Sequence, residues 1–211
     1  MRYLKHILLL SVIVFIHIGC GLKVPHTVVP DYKDRTPRSI AVLPVQNETV
    51  DMDAPKIFRR KLFNVILHRG YVSPSISVID SKLAEKGIRE PGQLGSMAPQ
   101  EMGEYLNVDA VLYSTVTEWS TTYLVVYASI KVEGRFQLID TKTGEQLWES
   151  EHEVSEKRFG TDKNSMKNSL DFATLQGYDP YVHKVIRMAF STLPNGPRYV
   201  PHSRGDGCLG P

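Results

Sequence analysis

The stretch that decides the fold is SIKVEGRFQL at residues 129–138. Apolar residues and one glycine occupy every second position, and charged or polar residues stand between them. This two-residue period predicts a β-strand with one buried face and one wet face. The stretch DTKTG at residues 140–144 has the composition of a turn, and residues 145–154 then predict the antiparallel partner strand. A long β-hairpin is therefore the first predicted element.

Upstream of the hairpin, the pattern alternates between short apolar runs and helical segments. The run IAVL at residues 40–43 ends at Pro44 and is typical of a strand buried on both faces. Asp53 is the expected cap of a helix that has Pro55 in its first turn and ends at Gly70.

Further elements complete the prediction. Residues 78–79 are interpreted as a strand end that is followed by one or two helical turns at residues 81–86. Residues 99–106 are interpreted as a short helix, residues 110–116 as a strand and residues 166–175 as weakly helical. Asp179 and Pro180 are expected to begin a last helix. The fold class that follows is α/β (α+β-like): a single mixed β-sheet with a long antiparallel hairpin and with helices packed on it.

Composition limits the classes of function. A chain of 211 residues holds one domain of ordinary size plus terminal segments. Its formal net charge of +2 argues against a dedicated nucleic-acid binder. Its two cysteines, Cys20 and Cys208, are too few for a disulfide framework or a zinc site.

The first residues of the chain predict export. Arg2 and Lys5 precede an almost uninterrupted apolar run at residues 7–18, which has the length of a secretory signal sequence and is too short to span a bilayer as a helix. The run ends at Gly19 and Cys20. A signal peptide with a conventional cleavage site and an uncleaved anchor are the alternatives.

This ending resembles the lipobox of bacterial lipoproteins, in which cleavage before the cysteine exposes a residue that is then lipidated. The resemblance implies a signal peptide at residues 1–19 and a lipid anchor on Cys20; His17 stands where the family usually has leucine. Loss of Arg2 and Lys5 would leave 23 basic residues beside 23 acidic ones, so the lipid would have to provide the attachment. Gly21 is typical of lipoproteins that move to the outer membrane of Gram-negative bacteria.

Residues 20–38 are then expected to be a proline-containing tether, residues 39–197 the folded domain and residues 198–211 a flexible tail with Cys208 as a free thiol. Within the domain, the runs IAVLP at residues 40–44 and NVDAVLY at residues 107–113 resemble the CsgG-like and TolB N-terminal α/β domains. The hairpin turn and the run LPNGP at residues 193–197 resemble a smaller group among them, outer-membrane lipoproteins of unknown function that are often encoded beside a CsgG-type lipoprotein. The resemblance implies a TolB-like fold and an envelope partner, and it supplies no catalytic residue.

No pattern predicts a catalytic, metal or cofactor site. The motif GDGCLG at residues 205–210 lacks the following helix that a nucleotide site needs, so no nucleotide is expected. In the run Glu151, His152 and Glu153, a strand would direct the histidine away from both carboxylates, so a shared metal ion is not expected.

One apolar stretch predicts a possible interaction surface. Tyr123, Val125 and Tyr127 lie near the start of the hairpin, with Trp119 close in sequence. These four residues are called the predicted patch below; burial in the core is the alternative.

The leading hypothesis is a non-enzymatic lipoprotein on the periplasmic side of the outer membrane, which binds a CsgG-like lipoprotein or a second copy of itself. A regulator of peptidoglycan synthesis is the second hypothesis, although the 18 residues from Gly21 to Arg38 reach at most about 60 Å. A periplasmic enzyme is the third, and it would need a polar constellation that the sequence does not display.

Overall fold

The computed structural model describes residues 24–124, 127–159 and 177–201, without the side chains of Tyr123 and Arg158. Its strands are β1 (His26–Val28), β2 (Ile40–Val42), β3 (Gln46–Asn47), β4 (Ala110–Leu124), β5 (Tyr127–Asp140) and β6 (Gln146–Phe159). Its α-helices are α1 (Ala54–His68), α2 (Ile76–Glu85), α3 (Pro99–Leu106) and α4 (Asp179–Phe190), with a 3-10 helix at Pro91–Ser96. The predicted helix within residues 166–175 lies outside the described residues.

The strands form one mixed sheet in the order β1-β6-β5-β4-β2, with β3 also paired to β4. β2 and β3 run parallel to β4, whereas the β4–β5, β5–β6 and β1–β6 pairs are antiparallel. The predicted fold class, a single mixed sheet with a long hairpin, is confirmed. The strand after residue 145 extends further than predicted, to Phe159.

Helices α1 and α4 cover one face of the sheet, which we call the inner face. Burial alternates strictly along β5, and its buried side chains join those of α1 and α4 in the main core. Gly134 occupies one of these inward positions. A Cβ there would lie 2.8 Å from a ring carbon of Phe58 and 2.9 Å from one of Phe136, so the glycine lets the α1 aromatic ring approach the strand.

A second, smaller core covers the opposite, outer face only where β2 and β4 run in parallel. Ala41, Leu43 and Val111 pack there against α2 and α3. The strand end expected at residues 78–79 is wrong, whereas the helical turns expected at residues 81–86 belong to a helix that begins earlier, at Ile76. Ser75 caps a helix by accepting a hydrogen bond from the Val78 amide, and Ile79 and Leu83, one helical turn apart, are both buried.

The start of α1 differs from the prediction in its cap. The side chain of Asp53 makes no capping hydrogen bond; the Asp51 carboxylate instead accepts from the amides of Asp53 and Ala54, each at 2.9 Å. The predicted end is confirmed, because Gly70 follows the helix with a φ of +81°, a left-handed conformation that favours glycine.

The predicted tether is wrong for residues 24–38, which pack on the domain. β1 pairs with residues 148–150 of β6, and the Pro25 carbonyl accepts hydrogen bonds from the Glu151 amide and the Ser150 hydroxyl. The Tyr32 side chain is buried, and its hydroxyl lies 2.8 Å from that of Tyr71. Burial raises the pKa of both phenols, that of Tyr71 to about 12, so both stay neutral.

The last helix begins where predicted, and its apolar side chains, Val182 and Ile186 among them, are buried. The start of the expected C-terminal tail contacts the domain, since the Arg198 amide donates to the Gly70 carbonyl. Cys20, Cys208 and the rest of residues 202–211 lie outside the described residues. Within the parts that the structure describes, no helix has the length and apolar character needed to cross a bilayer.

Candidate functional site: an open sheet face

Within residues 24–124, 127–159 and 177–201, nothing covers the outer face of the sheet over most of β4, β5 and β6. The second core stops at Tyr113 and Ile139, and beyond these residues the outward side chains are exposed or half-buried. We call this surface the open face. Its outward residues, which follow from the strand register, are Thr115, Glu118, Ser120, Thr122, Ser129, Lys131, Glu133, Arg135, Gln137, Glu149, Glu151, Glu153, Ser155 and Lys157.

A row of three glutamates crosses the open face. Glu118 on β4 stands directly opposite Glu133 on β5, which stands directly opposite Glu153 on β6. Side chains at such positions have Cβ atoms about 5 Å apart, and like charges there destabilise a sheet. Such repulsion opposes folding unless neighbouring basic residues offset it.

Two basic residues on β5 offset part of this repulsion. Lys131 pairs with Glu153 at 3.1 Å, and Arg135 pairs with Glu151 at 3.2 Å. The hydrogen bond to Glu153 raises the pKa of Lys131, and the charges of Glu118 and Glu133 raise it further. Among the described residues, Glu118 and Glu133 form no ion pair, so the row keeps an excess of negative charge.

The open face ends in an apolar group where β4 ends and β5 begins. Leu124 is paired with Tyr127, which is paired in turn with Phe159. Leu124 is 60% exposed and Phe159 is 73% exposed, and the rings of Tyr127 and Phe159 lie 5.0 Å apart. We call these three residues the apolar end. Exposed aromatic groups beside a charged surface are typical of protein interaction sites.

The predicted patch is wrong for Trp119, which is only 5% exposed. Its ring packs between Phe58 and Tyr178, at centroid distances of 6.1 and 4.2 Å. The reason is a β-bulge: Thr117 is an extra residue between Val116 and Glu118 in the pairing with β5. The bulge reverses the alternation of β4, so that odd-numbered residues point outward before it and inward after it.

The other members of the predicted patch have separate outcomes. Tyr127 does lie on the outer face and is partly exposed. The side chain of Tyr123 and all of Val125 lie outside the described residues. Sequence reasoning missed Phe159 because the partner strand was ended at residue 154; continuing the register from the turn at residues 140–144 would have placed Phe159 opposite Tyr127.

The run of Glu151, His152 and Glu153 behaves as a strand pattern. Both glutamates form ion pairs on the open face, whereas His152 stands opposite Gly134 on the inner face. Burial lowers the pKa of His152, and the charge of Lys184 lowers it further. Within the described residues, no group of histidine, cysteine and acidic side chains is arranged to hold a metal ion.

A polar cavity of about 320 Å³ lies between residues 34–38 and the turn that joins β5 to β6. Arg35 pairs there with Asp140 at 3.2 Å and with Glu145 at 2.7 Å. The nearby Asp109 carboxylate accepts hydrogen bonds from the Arg38 and Ser39 amides. These contacts fasten residues 31–39 to the sheet, so the charges of the cavity have a structural role.

Comparison with known proteins identifies relatives. The family model described as "Putative lipoprotein GNA1162-like" matches residues 29–177. A protein described as "Putative lipoprotein NMB1124/NMB1162", from Neisseria meningitidis serogroup B, is 25% identical over 134 residues, which are 64% of this chain and 62% of that protein. The chain thus spans less than two thirds of the length of this curated relative.

Comparison with solved structures identifies one of the same fold and a more distant neighbour. The crystal structure of lipoprotein GNA1162 from Neisseria meningitidis has a TM-score of 0.55 at 23% identity, and the match covers 66% of this chain and 97% of that one. The C-terminal domain of LpoB from Escherichia coli has a TM-score of 0.43 at 19% identity, with 57% of this chain and 85% of that one covered. The family that matches is described as a lipoprotein family, with no enzymatic activity named.

Proposed function

Because the chain belongs to the GNA1162-like family of putative lipoproteins, we propose that it is a membrane-anchored docking protein of the bacterial cell envelope. Its anchor is a lipid on Cys20, and its folded domain faces the periplasm from the outer membrane. The domain acts by binding another envelope protein through the open face. The uncovered three-stranded surface, with its glutamate row and apolar end, is the observation that carries the docking role.

The anchor follows from the order of features at the start of the chain. Two basic residues, an apolar run and Gly19 precede Cys20, which is the order in a lipoprotein signal. Each buried methylene of an attached lipid contributes about 0.8 kcal/mol to membrane binding, and several chains together give stable attachment. Gly21 favours transport to the outer membrane, by resemblance to other lipoproteins.

The docking role follows from two surface features that do not stabilise the isolated domain. The glutamate row opposes folding, and Leu124 and Phe159 expose apolar surface to water. A partner with basic side chains and an apolar socket would remove both costs. A CsgG-like lipoprotein and a second copy of the chain are the candidates.

The alternative role, regulation of peptidoglycan synthesis, requires the domain to reach through the cell wall. The first residue that the structure describes, Val24, is already buried, and three residues, Gly21, Leu22 and Lys23, lie between it and Cys20 in the sequence. Such a link spans at most about 14 Å. The domain of a chain lipidated on Cys20 would therefore stay near the membrane, which favours a partner in the same membrane over one beyond the wall.

An enzymatic role has no support among the described residues. Tyr32 and Tyr71, whose pKa values burial raises, contact each other in the core, and His152, whose pKa burial lowers, lies on the inner face of the sheet. The Ser39 hydroxyl donates to the Asp109 carboxylate at 3.0 Å, but this carboxylate also accepts from the Arg38 and Ser39 amides and so holds that segment in place. The non-enzymatic proposal is thus the simpler one.

The anchor is tested by substituting Cys20→Ala in the full chain and labelling cells with radioactive palmitate. We expect the label to be lost and the protein to leave the membrane fraction. Cys208→Ala is the matched control, and it should label and fractionate like the unsubstituted chain. Labelling that survives Cys20→Ala, or that disappears with Cys208→Ala, would contradict the proposed anchor.

A further inference from the structure

We propose that the docking partner is a second copy of this chain, whose α1–α4 surface receives the open face of the first copy. This inference rests on the proposed membrane anchoring, which places all copies on one surface in one orientation. The contact joins two different surfaces, so it is head-to-tail and builds a ring or a row of copies. Charge, shape and spacing each support this choice of partner.

The charge argument starts from α1 and α4, which carry the opposite charge to the open face. α1 contains Lys56, Arg59, Arg60 and Lys61 and no acidic residue. α4 adds Lys184 and Arg187 against one acid, Asp179. We call the outward surface of these two helices the basic face; its exposed basic side chains are Lys56, Arg60, Lys184 and Arg187. The sheet thus separates an acidic surface from a basic one.

The basic face also contains a receptor for an aromatic side chain. A groove of about 420 Å³ lies between the C-terminal ends of α1 and α4, with Val65 and Phe190 among its lining residues and His68 and Arg187 at its sides. An apolar floor with basic sides suits a ring such as Phe159, which is 73% exposed at the apolar end.

The distance from the charged group to the aromatic site is similar on the two surfaces. On the open face it runs from the glutamate row to Phe159, and on the basic face from Lys56 to the groove. From Glu153 to Phe159 the strand advances about 20 Å, at roughly 3.3 Å per residue. From Lys56 to His68 the helix advances about 18 Å, at 1.5 Å per residue. With Phe159 of one copy in the groove, its glutamate row lies beside Lys56 of the next copy, and Arg60 lies between them.

The footprint of the contact explains why anchoring matters. The open face measures about 33 Å along β5 from Tyr127 to Gln137 and about 14 Å across three strands. The basic face measures about 22 Å by 20 Å, from the length of α1 and two helix diameters. Surfaces of this size give contacts at the weak end of specific interfaces. Confinement to one membrane raises the effective concentration of copies, and it therefore favours assembly without any new contact.

The test uses the full lipidated chain in cells, with a photoreactive benzophenone amino acid in place of Phe159. We expect irradiation to give bands at twice the chain mass and at higher multiples, with the crosslinked peptides mapping to α1 and α4. The same amino acid in place of Val78, an exposed residue of α2, is the control and should give no such bands.

A charge exchange separates self-docking from general stickiness. Glu133→Lys and Lys56→Glu should each lower the yield of crosslinked copies roughly tenfold, the effect of placing like charges in contact. The double variant Glu133→Lys/Lys56→Glu reverses both surfaces of every copy and should restore the yield. Thermal unfolding of each purified variant shows whether the fold is intact.

Three results would overturn the inference while leaving the membrane anchor in place. They are crosslinking to a different protein, no crosslink from the membrane-bound chain, or a yield of crosslinked copies that neither Glu133→Lys nor Lys56→Glu changes. Fractionation of the same cells distinguishes these results from failure of the proposed function. A chain recovered in the soluble fraction would contradict the anchor, and with it the basis for self-assembly.

Discussion

The two ends of the sheet differ in how many layers cover them. At the parallel end, β2 and β4 lie between α1 on one side and α2 and α3 on the other, and Ala41, Val42 and Val111 are fully buried. At the antiparallel end, the same β4 continues with β5 and β6, but in the part of the chain that the structure describes only the inner face is covered. The outer side chains there are charged or polar, apart from the three residues of the apolar end.

The difference shows which end is optimised for folding. Buried apolar side chains at the parallel end stabilise the domain in proportion to the area that they remove from water. At the antiparallel end, the glutamate row and the exposed rings lower the free energy of unfolding. Substitutions in the covered core and on the open face should therefore differ in their effect on stability, and the following experiments measure that difference.

The largest effect is expected in the shared inner core. Phe136→Ala removes a fully buried ring that contacts Phe58 and Phe190, at centroid distances of 6.4 and 5.2 Å. We expect it to lower the free energy of unfolding by about 3–5 kcal/mol, measured by urea denaturation. Phe159→Ala, the same change at the apolar end, should stay within about 0.5 kcal/mol. Equal losses from the two variants would show that Phe159 is part of the core.

A smaller effect of opposite sign is expected in the glutamate row. Glu133→Gln removes the central charge of the three, so the free energy of unfolding should rise by about 0.2–1 kcal/mol. The gain should shrink as salt is added, because salt screens the repulsion. Glu104→Gln, on the exposed side of α3, is the matched control and should leave stability unchanged. A loss of stability in Glu133→Gln would show that the row is held by favourable contacts.

The smallest effect is a dependence on pH. His152 has a pKa below its ordinary value of 6.5, because burial and Lys184 both disfavour its charged form. Its contribution to stability is therefore complete above pH 6.5 and is lost as the pH falls through the lowered pKa. As the pH is lowered from 7.5 to about 5, the temperature of thermal unfolding should fall less steeply in His152→Gln than in the unsubstituted protein. Identical slopes would remove His152 from the explanation.

Most of the fold could be predicted from local sequence patterns. Alternation at residues 129–138 defined β5, the turn composition at residues 140–144 fixed its partner, and Asp179 with Pro180 marked the start of α4. Each of these signals is complete within a few residues of the element that it predicts, so no knowledge of tertiary contacts is required.

The errors arise where distant residues decide the structure. The bulge at Thr117 has no local sign, and its reversal of the alternation in β4 placed Trp119 inside. β1 is only three residues long, and its segment is held by Tyr71 and by residues 148–150, far away in sequence. The open face depends on both features, because the bulge decides which side chains of β4 it displays.

The pairing of β1 with β6 also has a mechanical consequence. A lipid on Cys20 would pull on this three-residue strand first, and its hydrogen bonds lie at the margin of the sheet, where they can open one after another. Peeling residues 24–31 would release about 27 Å of extra chain before the load reached the buried Tyr32. The segment between the lipid and the domain would then lengthen under tension. The domain could follow movements of the envelope while its core stays folded.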